Sequence, residues 1–240
     1  MKEDLNSLII YEDAQIIVCR KPAGIAVQSA RPAEKDLESL LKNYLAASQT
    51  QGSRGGRSRS ARTAQGQRTC PAGSSAPYLA VIHRLDQPVE GLLVFAKTPQ
   101  AARDLNRQLT SSVFGKYYRA VVSGTPDPLE GTLQDYLVKD ARSNSSRVCG
   151  KDTPGAKEAC LHYKTVETYS DSGTSLVEIK LDTGRHHQIR VQMSHIGCPL
   201  AGDYKYGYKS EKNAEPLRLC AYKLCFKHPL DKRKLTFELP

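Results

Sequence analysis

The chain has no run of the ~18 to 20 apolar residues that a membrane-spanning helix needs. Its longest apolar stretches, such as Leu92-Leu93-Val94-Phe95-Ala96, are strand-sized. The N-terminus, Met1-Lys2-Glu3-Asp4, carries acid and leads into no apolar h-region, so no secretory leader is expected. No two of the seven cysteines form a C-x-x-C pair, which argues against a zinc ribbon or a redox dithiol. Reduced thiols in a cytoplasmic protein are expected instead, each acting as a small buried hydrophobe. G-x-x-x-x-G-K-[ST], G-x-G-x-x-G and G-x-S-x-G are all missing, and with them the signatures of nucleotide hydrolysis, dinucleotide redox chemistry and α/β-hydrolase chemistry. There is no internal repeat.

What is present is ordinary globular material with a basic bias. Of 240 residues, 39% are hydrophobic and 25% charged, enough for one domain or two small lobes sharing a core. The net charge of +10 is the footprint of a polyanion binder. It is unevenly spread. Ser48 to Pro77 holds five arginines (Arg54, Arg57, Arg59, Arg62 and Arg68) and no acid. This Gly/Ser/Arg/Gln-rich stretch has too little apolar content to offset the entropy of ordering. It reads as a disordered insertion at 48–77, serving either as a spacer or as an electrostatic arm for RNA.

Around it, the patterns alternate between short strands and few helices. Residues 8–13 and 15–20 read as a strand pair, broken by Lys21-Pro22-Ala23-Gly24. Leu37, Leu40, Leu41, Tyr44 and Leu45 predict a helix over 36–47. Thr98 before Pro99 marks another helix start, with Thr as N-cap and Pro in the first turn. Strands are expected around 92–97, 117–123, 133–138, 161–169, 176–181, 217–226 and 234–239. A helix is expected over 186–196, burying Ile189, Met193 and Ile196 before Gly197 and Pro199 stop it. Strands outnumber helices without alternating regularly with them, which predicts an α+β fold.

Three stretches mix charge with apolar residues beyond what packing demands: His83-Arg84-Leu85-Asp86, Gly115-Lys116-Tyr117-Tyr118, and Leu181-Asp182-Thr183-Gly184-Arg185-His186-His187-Gln188-Ile189-Arg190. Half-buried charges need partners. Adjacent tyrosines on a strand face opposite ways, so one is core and the other is free to line a cleft. Arginines and a helix start favour anions such as phosphate. His186 and His187 diverge if they lie on one helix, and no carboxylate or Cys sits at ligand spacing to complete a site with His195, so no metal is expected.

These motifs, in this order, resemble those of the RluA family of RNA pseudouridine synthases. The resemblance rests on H-R-L-D-x-x-x-x-G-L-L-x-F-A-K at 83–97, K-x-Y at Lys116–Tyr118, L-x-T-G-R-x-H-Q-I-R from Leu181 to Arg190, and K-P-x-G at Lys21–Gly24. It spans the chain apart from the Arg-rich insertion. It implies a mixed, mostly antiparallel sheet in two halves with flanking helices and a central cleft. It also implies that a uridine of ribosomal or transfer RNA is isomerised without metal or redox cofactor; the missing leader sets the expectation of a cytoplasmic protein, and a monomer is the default.

By the same resemblance, Asp86 is the essential nucleophile or base. Tyr118 packs on the base and helps remove the C5 proton, and Arg190 is the aspartate's salt-bridge partner. Arg84 enters the RNA stack as the uridine flips out. His83, Lys116, Arg185, His187 and Gln188 are the accompanying substrate-binding candidates. An Asp acting as an anion needs a nearby positive charge, so Arg190 is expected to hold its pKa down. Two departures stand out: Val89-Glu90 where the family often has Thr-Ser, and Cys220 where it has His. The S4 RNA-binding domain of some members is not expected, since the catalytic-type sequence begins by about Leu8. Two other readings share these residues: an RNA-binding or folding factor on the same scaffold, and a glycosidase that cleaves without rejoining.

Overall fold

The computed structural model describes residues 5–29, 34–52, 76–111, 113–209 and 215–240. A short helix, α1 (Leu5–Leu8), leads into β1 (Ile9–Glu12) and β2 (Ile16–Lys21), then α2 (Leu37–Gly52). β3 (Ala80–Val81), β4 (Glu90–Ala96), α3 (Pro99–Leu109) and β5 (Gly115–Ser123) follow. Next come β6 (Glu130–Asp140), β7 (Ser145–Cys149), β8 (Lys157–Tyr169), β9 (Thr174–Leu181) and α4 (Gln188–His195). A single 3-10 turn at Tyr204–Tyr206 precedes β10 (Leu219–Lys227) and β11 (Lys234–Glu238).

The strands form one sheet of order β1-β2-β4-β10-β5-β9-β8-β6-β7, with β3 beside β4 and β11 beside β10. Every pairing is antiparallel except β4 with β10. The mixed, mostly antiparallel sheet with flanking helices is thus the architecture expected.

The apolar patterning explains the layers. β2 and β4 are buried on both faces and so read as continuous apolar runs. Ile17, Cys19, Leu93 and Phe95 join one core with Leu37, Leu41 and Leu45 of α2. Ile16, Val18, Leu92, Val94 and Ala96 join a second with Ala101, Ala102 and Leu105 of α3. α3 starts as predicted: the Thr98 hydroxyl accepts the Ala101 amide hydrogen at 3.1 Å. β5 and β9 alternate buried and half-exposed residues, and their inward side chains Ala120, Val122, Val177 and Ile179 extend the first core to Ile189 and Met193 of α4.

The two halves of the sheet meet where β4 runs beside β10, over Cys220↔Glu90 and Ala221↔Gly91. Gly91 has φ +132°, and a Cβ there would stand 2.6 Å from the Ala221 Cβ and collide with the Ala221 carbonyl. Only glycine permits this approach.

Three expectations are corrected. α2 continues through Ser48 to Gly52, so the segment expected to be disordered begins as helix; residues 53–75 lie outside the described residues. α4 begins at Gln188 rather than 186, because His187 takes a left-handed conformation (φ 54°). Ile196, expected to be buried, is exposed. β7 was not anticipated: Ser145-Ser146-Arg147-Val148-Cys149 lacks alternation, and it is held as an edge strand by pairing with β6. Among the described residues, no helix is long and apolar enough to cross a membrane.

Candidate active site

Asp86 sits in the turn between β3 and β4, closed by the Val89 amide donating to the Asp86 carbonyl at 3.0 Å. The turn is clamped from below. Lys21, at the end of β2, is fully buried, and its ammonium donates to the carbonyls of Pro22 (2.9 Å), Ile25 (2.7 Å) and Gln87 (3.0 Å). The Gly24 amide donates to the Gln87 carbonyl at 2.8 Å, and the Gln87 side chain returns a bond to the Gly24 carbonyl at 3.0 Å. All three ammonium hydrogens are thus spent on backbone, which ties the K-P-x-G loop to the turn that presents Asp86. Burial lowers the Lys21 pKa to about 8, against the opposing pull of Asp86 and Glu90.

Arg190 reaches the same turn from α4. Its guanidinium forks onto the buried Asp203, with Nε to Oδ2 at 2.6 Å and Nη2 to Oδ1 at 2.8 Å. Nη1 lies 3.7 Å from Asp86 Oδ2. The expected Arg190–Asp86 pair therefore exists, but as the looser arm of a shared cation. Burial works against the Arg190 charge, yet the bonds and charge of Asp203 outweigh it and hold the guanidinium above its ordinary value. Gly202, just before Asp203, lies against the backbone that leads to β10: at φ +76°, a Cβ there would stand 2.6 Å from the Pro216 carbonyl carbon.

His187 completes the ring around Asp86. Its Nε2 lies 3.4 Å from Asp86 Oδ2, and its Nδ1 lies 2.6 Å from the Tyr206 hydroxyl. That hydroxyl accepts the Ser146 amide hydrogen at 2.8 Å, so its own proton is free to go to Nδ1. Burial lowers the His187 pKa to about 3, with Arg190 adding to the effect. Burial thus favours the neutral imidazole, and the tautomer in which Tyr206 donates to Nδ1 turns the ring N–H toward Asp86. His186 does not diverge from it. The two rings stack at 3.8 Å, because the left-handed turn at His187 breaks the helical register.

Tyr118 is buried on β5, and burial and the nearby Asp86 charge both raise its pKa, so it is a neutral phenol. Burial likewise raises the Asp86 pKa, and Arg190 and Lys21 only partly counter this while Asp203 adds to it. The expectation that Arg190 holds Asp86 below the usual carboxylate range is thereby corrected: desolvation wins.

Asp86, Tyr118, His187 and Arg190 line an open cleft of about 1350 Å³. Arg84 is exposed on its wall, beside the expected Lys116 and Arg185. Lys116 is buried along its stem, with Nζ 3.4 Å from the Thr183 carbonyl, and burial lowers its pKa. Arg185 Nε donates to the Glu158 carbonyl at 2.7 Å. The two remaining substrate-binding candidates, His83 and Gln188, also line the cleft, with their polar atoms turned into the protein. The His83 ring packs edge-on to Phe114 at 5.6 Å, both its nitrogens are buried without a hydrogen-bond partner, and burial lowers its pKa to about 3. Gln188 is saturated within the protein: its Oε1 accepts from Thr183 Oγ1 (2.7 Å) and the Arg185 amide (2.9 Å), and its Nε2 donates to the Cys160 carbonyl (3.1 Å) and Gln192 Oε1 (3.0 Å). Glu90 is paired with Arg20 at 3.1 Å. Cys220 is half-buried.

Sequence reasoning missed Lys21 as a clamp, and Asp203 and Tyr206 altogether. The signal for Asp203 was a carboxylate after Leu200-Ala201-Gly202, in a chain with an arginine on a buried helix.

The cleft thus lies in a mixed, mostly antiparallel sheet, and Asp86 stands on it with Tyr118, His187 and Arg190. Residues 15–195 match the RNA pseudouridylate synthase family, and the chain belongs to it, as its RluA-type motifs led us to expect. It is 33% identical to ribosomal large subunit pseudouridine synthase D of Neisseria meningitidis serogroup B, across 97% of this chain and 57% of that protein. It is also 33% identical to the uncharacterized RNA pseudouridine synthase YlyB of Bacillus subtilis, across 100% of this chain and 71% of that one. The chain thus spans little more than half of the Neisseria relative. The fold is shared with human RNA pseudouridylate synthase domain containing 1, at TM-score 0.71 and 20% identity, over 100% of this chain and 86% of that one. Human RNA pseudouridylate synthase domain containing 4 gives TM-score 0.68 at 21% identity, over 98% and 90%.

Proposed function

We propose that this chain isomerises uridine to pseudouridine within RNA, with Asp86 as the nucleophile or base. The observation that carries the reading is Asp86 itself: a carboxylate at the cleft, half-exposed, desolvated, and faced by Arg190, His187 and Tyr118. In the net reaction the N1–C1′ bond breaks, a C5–C1′ bond forms, the C5 proton leaves and N1 gains one. The change is redox-neutral, so it calls for no electron carrier.

A uridine stacked in a stem cannot present C1′ and C5 to a side chain, so the base must leave the stack, at a cost of a few kcal/mol. Arg84 is suited to filling the gap, since an exposed guanidinium stacks on bases and pairs with phosphate. Arg185 and Lys116 add positive charge along the path of the backbone. Arg190 and the neutral His187 stabilise the Asp86 anion without forming a tight bond that would quench it. Tyr118, a neutral phenol beside Asp86, packs against the flipped base and assists loss of the C5 proton. The protein acts in the cytoplasm as a monomer, on ribosomal or transfer RNA. The name of the Neisseria relative makes large-subunit ribosomal RNA the first pool to try.

The test is tritium release from [5-³H]uridine-labelled ribosomal and transfer RNA lacking prior modification. Release by the wild type and none by Asp86→Asn is expected. RNA binding without release from either pool would favour the binding-factor reading. Free uracil with abasic RNA would favour the glycosidase.

A further inference from the structure

We propose that Cys160, His162 and Asp182 form a binding site for a thiophilic divalent cation, Zn²⁺ foremost. This inference does not depend on the proposed activity. Cys160 and His162 are two residues apart on β8 and share a face. β8 pairs with β9 so that Leu161 lies opposite Leu181, which brings Asp182, just past the strand end, beside Cys160. The backbone fixes this register. The Asp182 and Thr183 amides both donate to the Cys160 carbonyl (3.2 and 3.3 Å), and the Cys160 amide donates to Thr183 Oγ1 at 2.9 Å.

One ligand atom from each residue lies within 4.8 Å of the others, with His162 Nε2 2.7 Å and Cys160 Sγ 3.9 Å from Asp182 Oδ2. A tetrahedral zinc ion, with bonds of about 2.3 Å to sulfur and about 2.0–2.1 Å to nitrogen and oxygen, spaces its ligand atoms about 3.3–3.6 Å apart. Small side-chain adjustments reach that geometry. The outer partner of the imidazole is in place: His162 Nδ1 lies 2.8 Å from Thr132 Oγ1, which orients Nε2 toward the site. A mixed sulfur, nitrogen and oxygen set selects zinc over magnesium or calcium, which take oxygen. The sequence expectation of no metal rested on the lack of a C-x-x-C pair and of any Cys or carboxylate at ligand spacing from His186, His187 and His195. The donors here come from two other stretches that the β8–β9 pairing brings together.

Binding displaces the thiol proton of Cys160 and replaces the His162–Asp182 contact with two metal bonds. The local charge of thiol, imidazole and carboxylate rises by one unit, from −1 to neutral. Asp182 and Thr183 also line the cleft, and the Gln188 side chain holds the Cys160 carbonyl, so the ion would brace the segment leading to His187.

The experiment is Co²⁺ titration of the chelator-stripped full chain. A thiolate-to-cobalt charge-transfer band with tetrahedral visible bands is expected, displaced by one equivalent of Zn²⁺. Cys160→Ser should abolish the band, while Cys220→Ser and Cys225→Ser keep it. His162→Ala should weaken Co²⁺ at least tenfold, and Thr132→Val about tenfold. Zn²⁺ should raise the melting temperature of the wild type and of Cys220→Ser, but not of Cys160→Ser. A wild type without the band, or a band that survives Cys160→Ser, would overturn the site and leave an ordinary surface ion pair.

Discussion

Two carboxylates share one guanidinium, and they are treated in opposite ways. The Asp203 side chain is 1% exposed and takes the Arg190 fork at 2.6 and 2.8 Å. The Asp86 side chain is 31% exposed and keeps the same cation at 3.7 Å. Bidentate geometry and full burial make Asp203 an anchor, whose removal leaves an uncompensated charge. Distance and a path to the cleft make Asp86 an acid that stays available. Arg190 thus ties α4 to one partner while it leaves the other, 3.7 Å away, open to the cleft.

Substitutions should separate the two roles. Asp86→Asn is expected to lower single-turnover isomerisation by at least about 10³-fold, the order of loss when a reacting group is removed, with the urea midpoint unchanged or raised. A large drop in that midpoint would make Asp86 a structural partner after all. Asp203→Asn should do the reverse, destabilising the fold by about 3–5 kcal/mol while activity per folded molecule falls far less. Equal stability of the two Asn variants would erase the contrast. Tyr118→Phe keeps the ring and removes the hydroxyl. A rate loss of about 10²-fold with RNA affinity unchanged is expected if the phenol takes part in proton transfer. A rate near wild type would leave Tyr118 a packing role only.

The smallest effect is on pH. Because burial raises the Asp86 pKa, the acid limb of the rate profile should lie above the ordinary value of about 3.9. The fold holds this proton more tightly than the unfolded chain does. The stability it lends is therefore complete below the unfolded pKa and lost as pH rises through the folded one. Asp86→Asn should flatten that segment of the stability curve. In Asp203→Asn the acid limb should move down, since Asp203 is one of the charges raising Asp86.

The same contrast explains what could be read from residue order alone. Asp86, Tyr118 and Arg190 lie in local motifs, and the fold brings all three to one cleft. Asp203 lies in none, and its role comes from a contact with Arg190 of α4, thirteen positions away, that no local pattern encodes. Lys21 stood out as part of K-P-x-G, but its three carbonyl partners include Gln87, across the β2–β4 pairing. His83 and Gln188 reach the cleft as expected, but their packing and internal hydrogen bonds were not legible, because a motif does not show on what a polar side chain is spent. The helix at 186–196 was found with its start shifted, since one left-handed residue is invisible to periodicity. Strands with clear alternation were found, and the edge strand β7 without it was not.

The join between β4 and β10 has a bearing on alignment. Asp86 belongs to the half of the sheet built on β2 and β4, Tyr118 and Arg190 to the half built on β5, β9 and α4. Direct strand pairing between those halves spans only Cys220↔Glu90 and Ala221↔Gly91, a few residues beyond Asp86 itself. The acid and its counterparts are thus carried on different strands of one sheet, knit by a shared apolar core and, closest to the acid, by a pairing two residues long.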